Sequence, residues 1–270
     1  MKKISGLVIV CIVIASGIKA QTIKIFYEKR DRDYVFYADN NELYPISVSL
    51  DFDLTNLKFS EDASRIFIIP ASRSRFKLGE LTTLSNGATR FSYKYKTTLG
   101  DVTISRYDKD YVYDLPFQKG KSFRLFQGYN GSFSHQQENA LDFTMPEGTE
   151  ILAAREGIVV QLVQNNSESC PREECKKYNN YITIMHPDGT FSYYAHFKYN
   201  GAKVKLGDAV KKGDVIAYSG NVGWSSGPHL HFACFLPQFE KRRYIETKFK
   251  TDEGDKTEML KEGNVYVRNY

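Results

Sequence analysis

The chain reads as an all-β protein, an N-terminal immunoglobulin-like β-sandwich followed by an antiparallel β-sheet domain bearing a metal-binding surface. Three observations predict this. The sequence holds 19 Tyr and 18 Phe, residue types that fit pleated, half-buried strands. No segment carries the apolar repeat of an amphipathic helix. And three segments of the second half alternate greasy residues with metal-ligand or acid–base residues, which is the two-residue period of a strand. In Ser226-Gly227-Pro228-His229-Leu230-His231-Phe232 the two histidines share one face, and Leu230, Phe232 and Cys234 share the other.

Residues 1–20 read as a secretory signal peptide. Lys2 and Lys3 precede a largely apolar run from Gly6 to Gly17, and Ala20 offers a small residue at the cut. The run is shorter than the roughly 18 apolar residues of a spanning helix. Cys11 follows Val10 rather than a small residue, so no stable membrane anchor is expected, and the mature chain is expected to be periplasmic or secreted. The formal charge of +5 falls to +2 once Lys2, Lys3 and Lys19 are removed. That near-balance argues against a polyanion partner, so no nucleic acid is expected.

Residues 21–115 break into short strand-like runs: Ile23 to Tyr27, Tyr34 to Tyr37, Ile46 to Phe52, Arg65 to Ile69, Arg90 to Tyr95, Val102 to Ser105 and Tyr111 to Tyr113. About seven such runs with polar turns between them suggest the sandwich. This half contains no histidine and no catalytic cluster. The stretch Leu115 to Lys121 marks the boundary. Strands then recur over residues 116–236, at Phe123 to Gln127, Glu150 to Ala154, Gly157 to Val163, Tyr181 to Met185, Thr190 to His196, Ala202 to Leu206, Asp214 to Tyr218 and His229 to Phe235. Residues 237–270 are charged, with strands expected at Tyr244 to Phe249 and Val265 to Val267, and read as an extension packed on the fold.

The sequence has five histidines. His186, in Met185-His186-Pro187-Asp188-Gly189, reads as the start of a turn. The other four, His135, His196, His229 and His231, can converge with Asp142 if their strands share a sheet. Strand parity places Asp142 opposite the apolar face of Leu141, Phe143 and Met145. It places Tyr194 beside His196, as a possible extra donor. Three N/O ligands and a water make the open site of a catalytic zinc rather than a closed structural one. Cys170 and Cys175 lie close together in a polar stretch and, in an oxidising compartment, read as a local disulfide. Cys234 reads as a small core residue.

These residues carry a resemblance. From about Phe123 to Phe235 the chain resembles the lysostaphin-like (LytM-type) zinc metalloendopeptidases that act on peptidoglycan. The matching strings are His135, Asp142-Phe143-Thr144-Met145-Pro146-Glu147-Gly148-Thr149, Tyr194-Ala195-His196, Val204-Lys205-Leu206-Gly207-Asp208, Tyr218-Ser219-Gly220-Asn221-Val222-Gly223 and the His-Leu-His segment. The resemblance implies an antiparallel sheet with a groove on its polar face. It implies His135, Asp142 and His231 as zinc ligands, with His229 and His196 flanking the water and the scissile carbonyl. Peptidoglycan peptides are the implied substrate. In many members the first ligand precedes the Asp by four residues; here the gap is seven, and Glu138 stands at the four-residue position as an alternative ligand. The competing readings are a non-catalytic wall-binding regulator on the same fold and an adhesion module centred on the sandwich. Regulators of that kind typically lack ligands, whereas every position is filled here.

Overall fold

In a computed structural model of the protein, residues 23–62 and 65–270 are described. The expected signal segment lies outside them. The chain divides into two compact units, Met1–Leu99 and Gly100–Tyr270. No helix among the described residues is long and apolar enough to cross a membrane.

The first unit contains β1 (Ile23–Arg30), β2 (Asp33–Asn40), β3 (Ile46–Thr55), β4 (Leu57–Phe59), β5 (Ile66–Ile69), β6 (Arg73–Thr83) and β7 (Arg90–Leu99). They form two antiparallel sheets in the orders β1-β2-β6-β4 and β5-β3-β7. Aromatic rings join the sheets: Phe36 of β2 meets Phe52 of β3 and Tyr93 of β7 edge-on, at centroid distances of 5.0 and 5.2 Å. This is a sandwich of four and three strands, but not by the expected list. Val102 to Ser105 is a turn region, and Tyr111 to Tyr113 belongs to the second unit. Strands β4 and β6 take their places. Against the constant-type immunoglobulin order, the fifth and sixth strands occupy each other's sheets.

The second unit opens with β8 (Val112–Tyr113) and continues through β9 (Ser122–Gln127), β10 (Ala140–Thr144), β11 (Glu150–Leu152), β12 (Gly157–Val163) and β13 (Ser169–Cys170). A short 3₁₀ helix, Glu173–Tyr178, precedes β14 (Tyr181–Met185), β15 (Phe191–Ala195), β16 (Ala209–Val210), β17 (Val215–Tyr218), β18 (Gly223–Trp224) and β19 (His229–Leu236). The chain ends with β20 (Arg243–Ile245), β21 (Lys248–Thr251), β22 (Lys256–Glu258) and β23 (Val265–Val267). One large antiparallel sheet runs β16-β12-β14-β15-β19-β10-β9-β23, with β20 also pairing β19. Its apolar face builds the core from Leu141, Phe143, Ile182, Ile184, Leu230 and Phe232 among others. The greasy halves of the alternating strands therefore bury as their periodicity demands.

Two expectations need correction. The break between units falls at Leu99/Gly100, before Leu115, because Tyr113 and Leu115 are buried in the second unit's core and β8 pairs with β21. Ala202 to Leu206 is not a strand. Ala202 makes one isolated bridge to Ala217, and the chain then turns, with the Lys205 N–H donating to Asp208 Oδ2 at 2.8 Å. Residues 237–270 pack on the second unit: β23 pairs β9 and β20 pairs β19, and Phe249, Leu260 and Tyr266 sit in the core.

Candidate metal centre

Sheet register assembles the site. Asp142 on β10 lies directly opposite His231 on β19, and also opposite Gln127 on β9; His231 in turn faces Ala195 on β15. One row across four strands thus sets a carboxylate beside an imidazole. His135 arrives from the loop between β9 and β10. Its Nε2 lies 3.1 Å from Asp142 Oδ2, while His231 Nδ1 lies 3.0 Å from Asp142 Oδ1. Ligand atoms of His135, Asp142 and His231 all fall within 4.8 Å of one another, and among the described residues they are the group able to hold a metal ion. Glu138 is not part of that group. The gap of seven residues is absorbed by a tight loop in which the Glu138 N–H donates to His135 O and the His135 N–H to Gly131 O.

Gln127, which carries no signal in the sequence, ties the loop to the sheet. Its Nε2 donates to Asp142 Oδ2 at 2.9 Å, and its Oε1 accepts from the Phe133 and Ser134 N–H groups. The histidines are oriented by backbone carbonyls. His135 Nδ1–H donates to Gly128 O, His196 Nδ1–H to Val222 O and His229 Nδ1–H to Gly227 O, at 3.1, 2.8 and 2.8 Å. This pairing sets the tautomer in which Nε2 carries the lone pair. Ser225, a second residue without a sequence signal, adds its hydroxyl 3.1 Å from His229 Nδ1. His231 differs, presenting Nδ1 to the carboxylate.

His196 reaches the site by an unexpected route. It has φ of 70°, so the chain leaves the extended conformation at the end of β15 and parity fails there. Tyr194 accordingly points into the core, where its hydroxyl accepts from the Ala154 N–H at 2.8 Å. It is fully buried and is no groove donor. Tyr193 takes the groove side instead, its ring 5.9 Å from that of His231. The His196 and His229 rings lie 4.6 Å apart.

Burial alone would raise the Asp142 carboxyl, but the imidazoles of His135 and His231 set against it outweigh that effect and hold the group well below the usual carboxylate range. Burial pulls His196 well below the ordinary imidazole value, with the charges of His229 and His231 adding to the effect. Burial also lowers His229. A carboxylate kept ionised is the protonation state a cation needs in that ligand, and the lowering at His196 and His229 keeps both imidazoles able to accept a proton. The donor set fits such an ion on a further count: His135 Nε2 is fully buried and makes no hydrogen bond. These groups line a groove whose walls include Phe126, Trp224, Lys176, Tyr193 and Arg242.

An open two-His, one-carboxylate centre on the polar face of a sheet defines the class of a metallohydrolase. Residues 136–241 match the sequence profile described as "Peptidase family M23", so this stretch of the chain is similar to the LytM-type peptidases. The match starts one residue after His135, whose place in the cluster is given by the geometry alone. The chain is 32% identical over 126 residues to lysostaphin of Staphylococcus simulans, covering 46% of this chain and 22% of lysostaphin. It is 34% identical over 98 residues to the peptidoglycan DD-endopeptidase ShyA of Vibrio cholerae, covering 36% and 20%. It is 41% identical over 128 residues to an uncharacterized metalloprotease of Buchnera aphidicola, covering 45% and 31%. The chain thus spans a third or less of the length of these relatives. Among solved structures, the lysostaphin catalytic domain matches with 29% identity and a TM-score of 0.34, covering 44% of this chain and 83% of that one.

Proposed function

We propose that the protein is an exported zinc metalloendopeptidase that hydrolyses peptide bonds in bacterial peptidoglycan. The observation that carries the reading is the pairing of a three-ligand cluster with two further imidazoles, His196 and His229, each pinned through Nδ1 so that Nε2 is free. His135, Asp142 and His231 would hold the zinc. Bound there, the ion would polarise a peptide carbonyl and bring the pKa of a water to about 7. The chain's own part is proton movement and positioning. Nε2 of His229 or His196 accepts the proton of the attacking water and, once protonated, returns it to the leaving amine. Gly227 and Val222 carbonyls hold each ring in place through the exchange. Phe126 packs edge-on to His229 at 5.5 Å. The similarity to a peptidoglycan DD-endopeptidase and to lysostaphin supports the wall substrate, and the segment of residues 1–20 supports export to the periplasm or beyond.

The test separates holding metal from moving protons. Zinc-loaded protein is incubated with purified peptidoglycan, and new amino termini are counted. His231→Ala is expected to lose both metal and activity. His229→Ala and His196→Ala are expected to keep the metal and lose on the order of 10²- to 10⁴-fold in turnover, while Glu138→Ala keeps its metal. Full zinc in His231→Ala, or wild-type rates in both His229→Ala and His196→Ala, overturns the assignment.

A further inference from the structure

Two cations of the groove have no acidic partner. Arg242 and Lys176 both line it, and among the described residues neither belongs to an ion pair. Arg242 is partly buried, yet it is held by rings rather than by charge. Its guanidinium lies 4.3 Å from the centroid of Phe235 and 5.1 Å from that of Tyr193. Stacking of this kind fixes a guanidinium while leaving its N–H donors for a planar anion, a role Lys cannot reproduce. Elsewhere in the same unit the cations near the core are matched: Arg155 with Asp188, Arg268 with Asp114.

Its position relates it to the reaction. The Tyr193 ring neighbours both Arg242 and His231, at 5.1 and 5.9 Å, so the two are separated by at most a span on the order of three residues of extended peptide. The acidic side chain of the groove apart from Asp142 is Glu138, and it makes no ion pair with Arg242 either. Resting on the reading of the site as a peptidase, we infer that Arg242 forms a subsite for a free carboxylate on the substrate peptide, about three residues or less from the bond cut, in a groove that Lys176 also lines. The protein therefore selects stem peptides with an ionised carboxylate over the same peptides carrying an amide. A bidentate guanidinium–carboxylate pair is the donor geometry that discriminates between the two.

Binding and cleavage are read separately. The probes are purified peptidoglycan stem-peptide fragments, either native or with their carboxylates converted to amides by carbodiimide and ammonia. Calorimetry on the metal-loaded His229→Ala protein is expected to show the native fragments bound about tenfold or more tighter than the amidated ones. Adding Arg242→Gln should erase that preference, and Arg242→Lys should restore only part of it. In the otherwise wild-type enzyme, Arg242→Gln should raise KM for native fragments with kcat little changed. Equal binding of both fragments, or an equal loss on both in Arg242→Gln, overturns the subsite. A preference in binding without cleavage by the wild type sinks the hydrolase reading and leaves the subsite standing.

Discussion

At the scale of single residues, the candidate ligand cluster was legible because chemistry and parity coincide on short strands. His229 and His231 share a face, and Asp142 opposes Leu141, as period two requires. Tyr194 was misplaced because parity holds only while φ stays extended, and His196 departs from it. Gln127 and Ser225 were invisible, since hydrogen bonds to a loop or an imidazole leave no mark in a sequence. His186, read as a turn residue, does start a turn, with the Gly189 N–H donating to its carbonyl. It also makes a prediction of its own. Burial pushes it down to about 4, with Arg155 opposing its charge and Asp188 and Glu156 favouring it; the Tyr113 ring packs edge-on at 6.2 Å. The fold therefore prefers neutral imidazole. Its contribution is complete above the unfolded pKa of about 6.5 and is lost as pH falls from there toward 4. The size is about 3 kcal/mol. Urea unfolding of wild type and His186→Gln between pH 4 and 8 should show the wild type losing more stability on acidification by about that amount. Parallel pH profiles would reject it.

At the scale of elements, the strands that could be read are those with clean alternation or continuous apolar runs. Gly157–Val163, Tyr181–Met185 and Val265–Val267 stand where expected. The sequence hid β6, Arg-Ser-Arg-Phe-Lys-Leu-Gly-Glu-Leu-Thr-Thr, because its first half is exposed and charged and only Leu78, Gly79 and Leu81 are buried. The Cys170–Cys175 disulfide is present, and it staples an arm with a task. From that arm Glu168 O accepts the Gly223 N–H, Asn179 Oδ1 the Trp224 N–H and Cys170 O the Ser225 N–H. The segment so held carries the Val222 carbonyl and Ser225 hydroxyl that orient His196 and His229. Gly223 has φ of 87°, and a Cβ there would meet the Asn179 Cα at 2.7 Å, so the approach is as close as backbone allows. Replacing both cysteines by serine should therefore lower kcat severalfold with metal content unchanged. Stability should fall by no more than about 2 kcal/mol, the entropy of so short a loop. A double variant with wild-type kcat would show that the arm does not support the histidines.

At the scale of the whole molecule, two units were legible but their border was not. The boundary was read at the short stretch Leu115 to Lys121. Yet Leu115 and Phe117 are fully buried, and the chain's far end locks them in place. Arg268 donates to the Leu115 and Phe117 carbonyls and to Asp114 Oδ2, at 3.2, 2.9 and 3.1 Å. Contacts over such sequence separation have no local signature, which is why residues 100–115 read as part of the sandwich. Truncation at the two borders should therefore differ sharply. A protein starting at Pro116 loses Tyr113 and Leu115 from the core, each about 1.5–3 kcal/mol. It also leaves Arg268 without Asp114, a buried pair whose breaking costs about 3–5 kcal/mol. The total rivals the about 5–15 kcal/mol that holds a domain together. A protein starting at Gly100 keeps all of these contacts. It should unfold cooperatively and cut small soluble wall peptides at the full-length rate. On intact wall it should be slower, if the sandwich serves to position the enzyme on its substrate. Thermal unfolding and the two activity assays on both truncations check this. Equal melting of the two would refute the border. A severalfold rise in small-peptide cleavage for the Gly100 form would mean that the sandwich restrains the groove rather than delivering it.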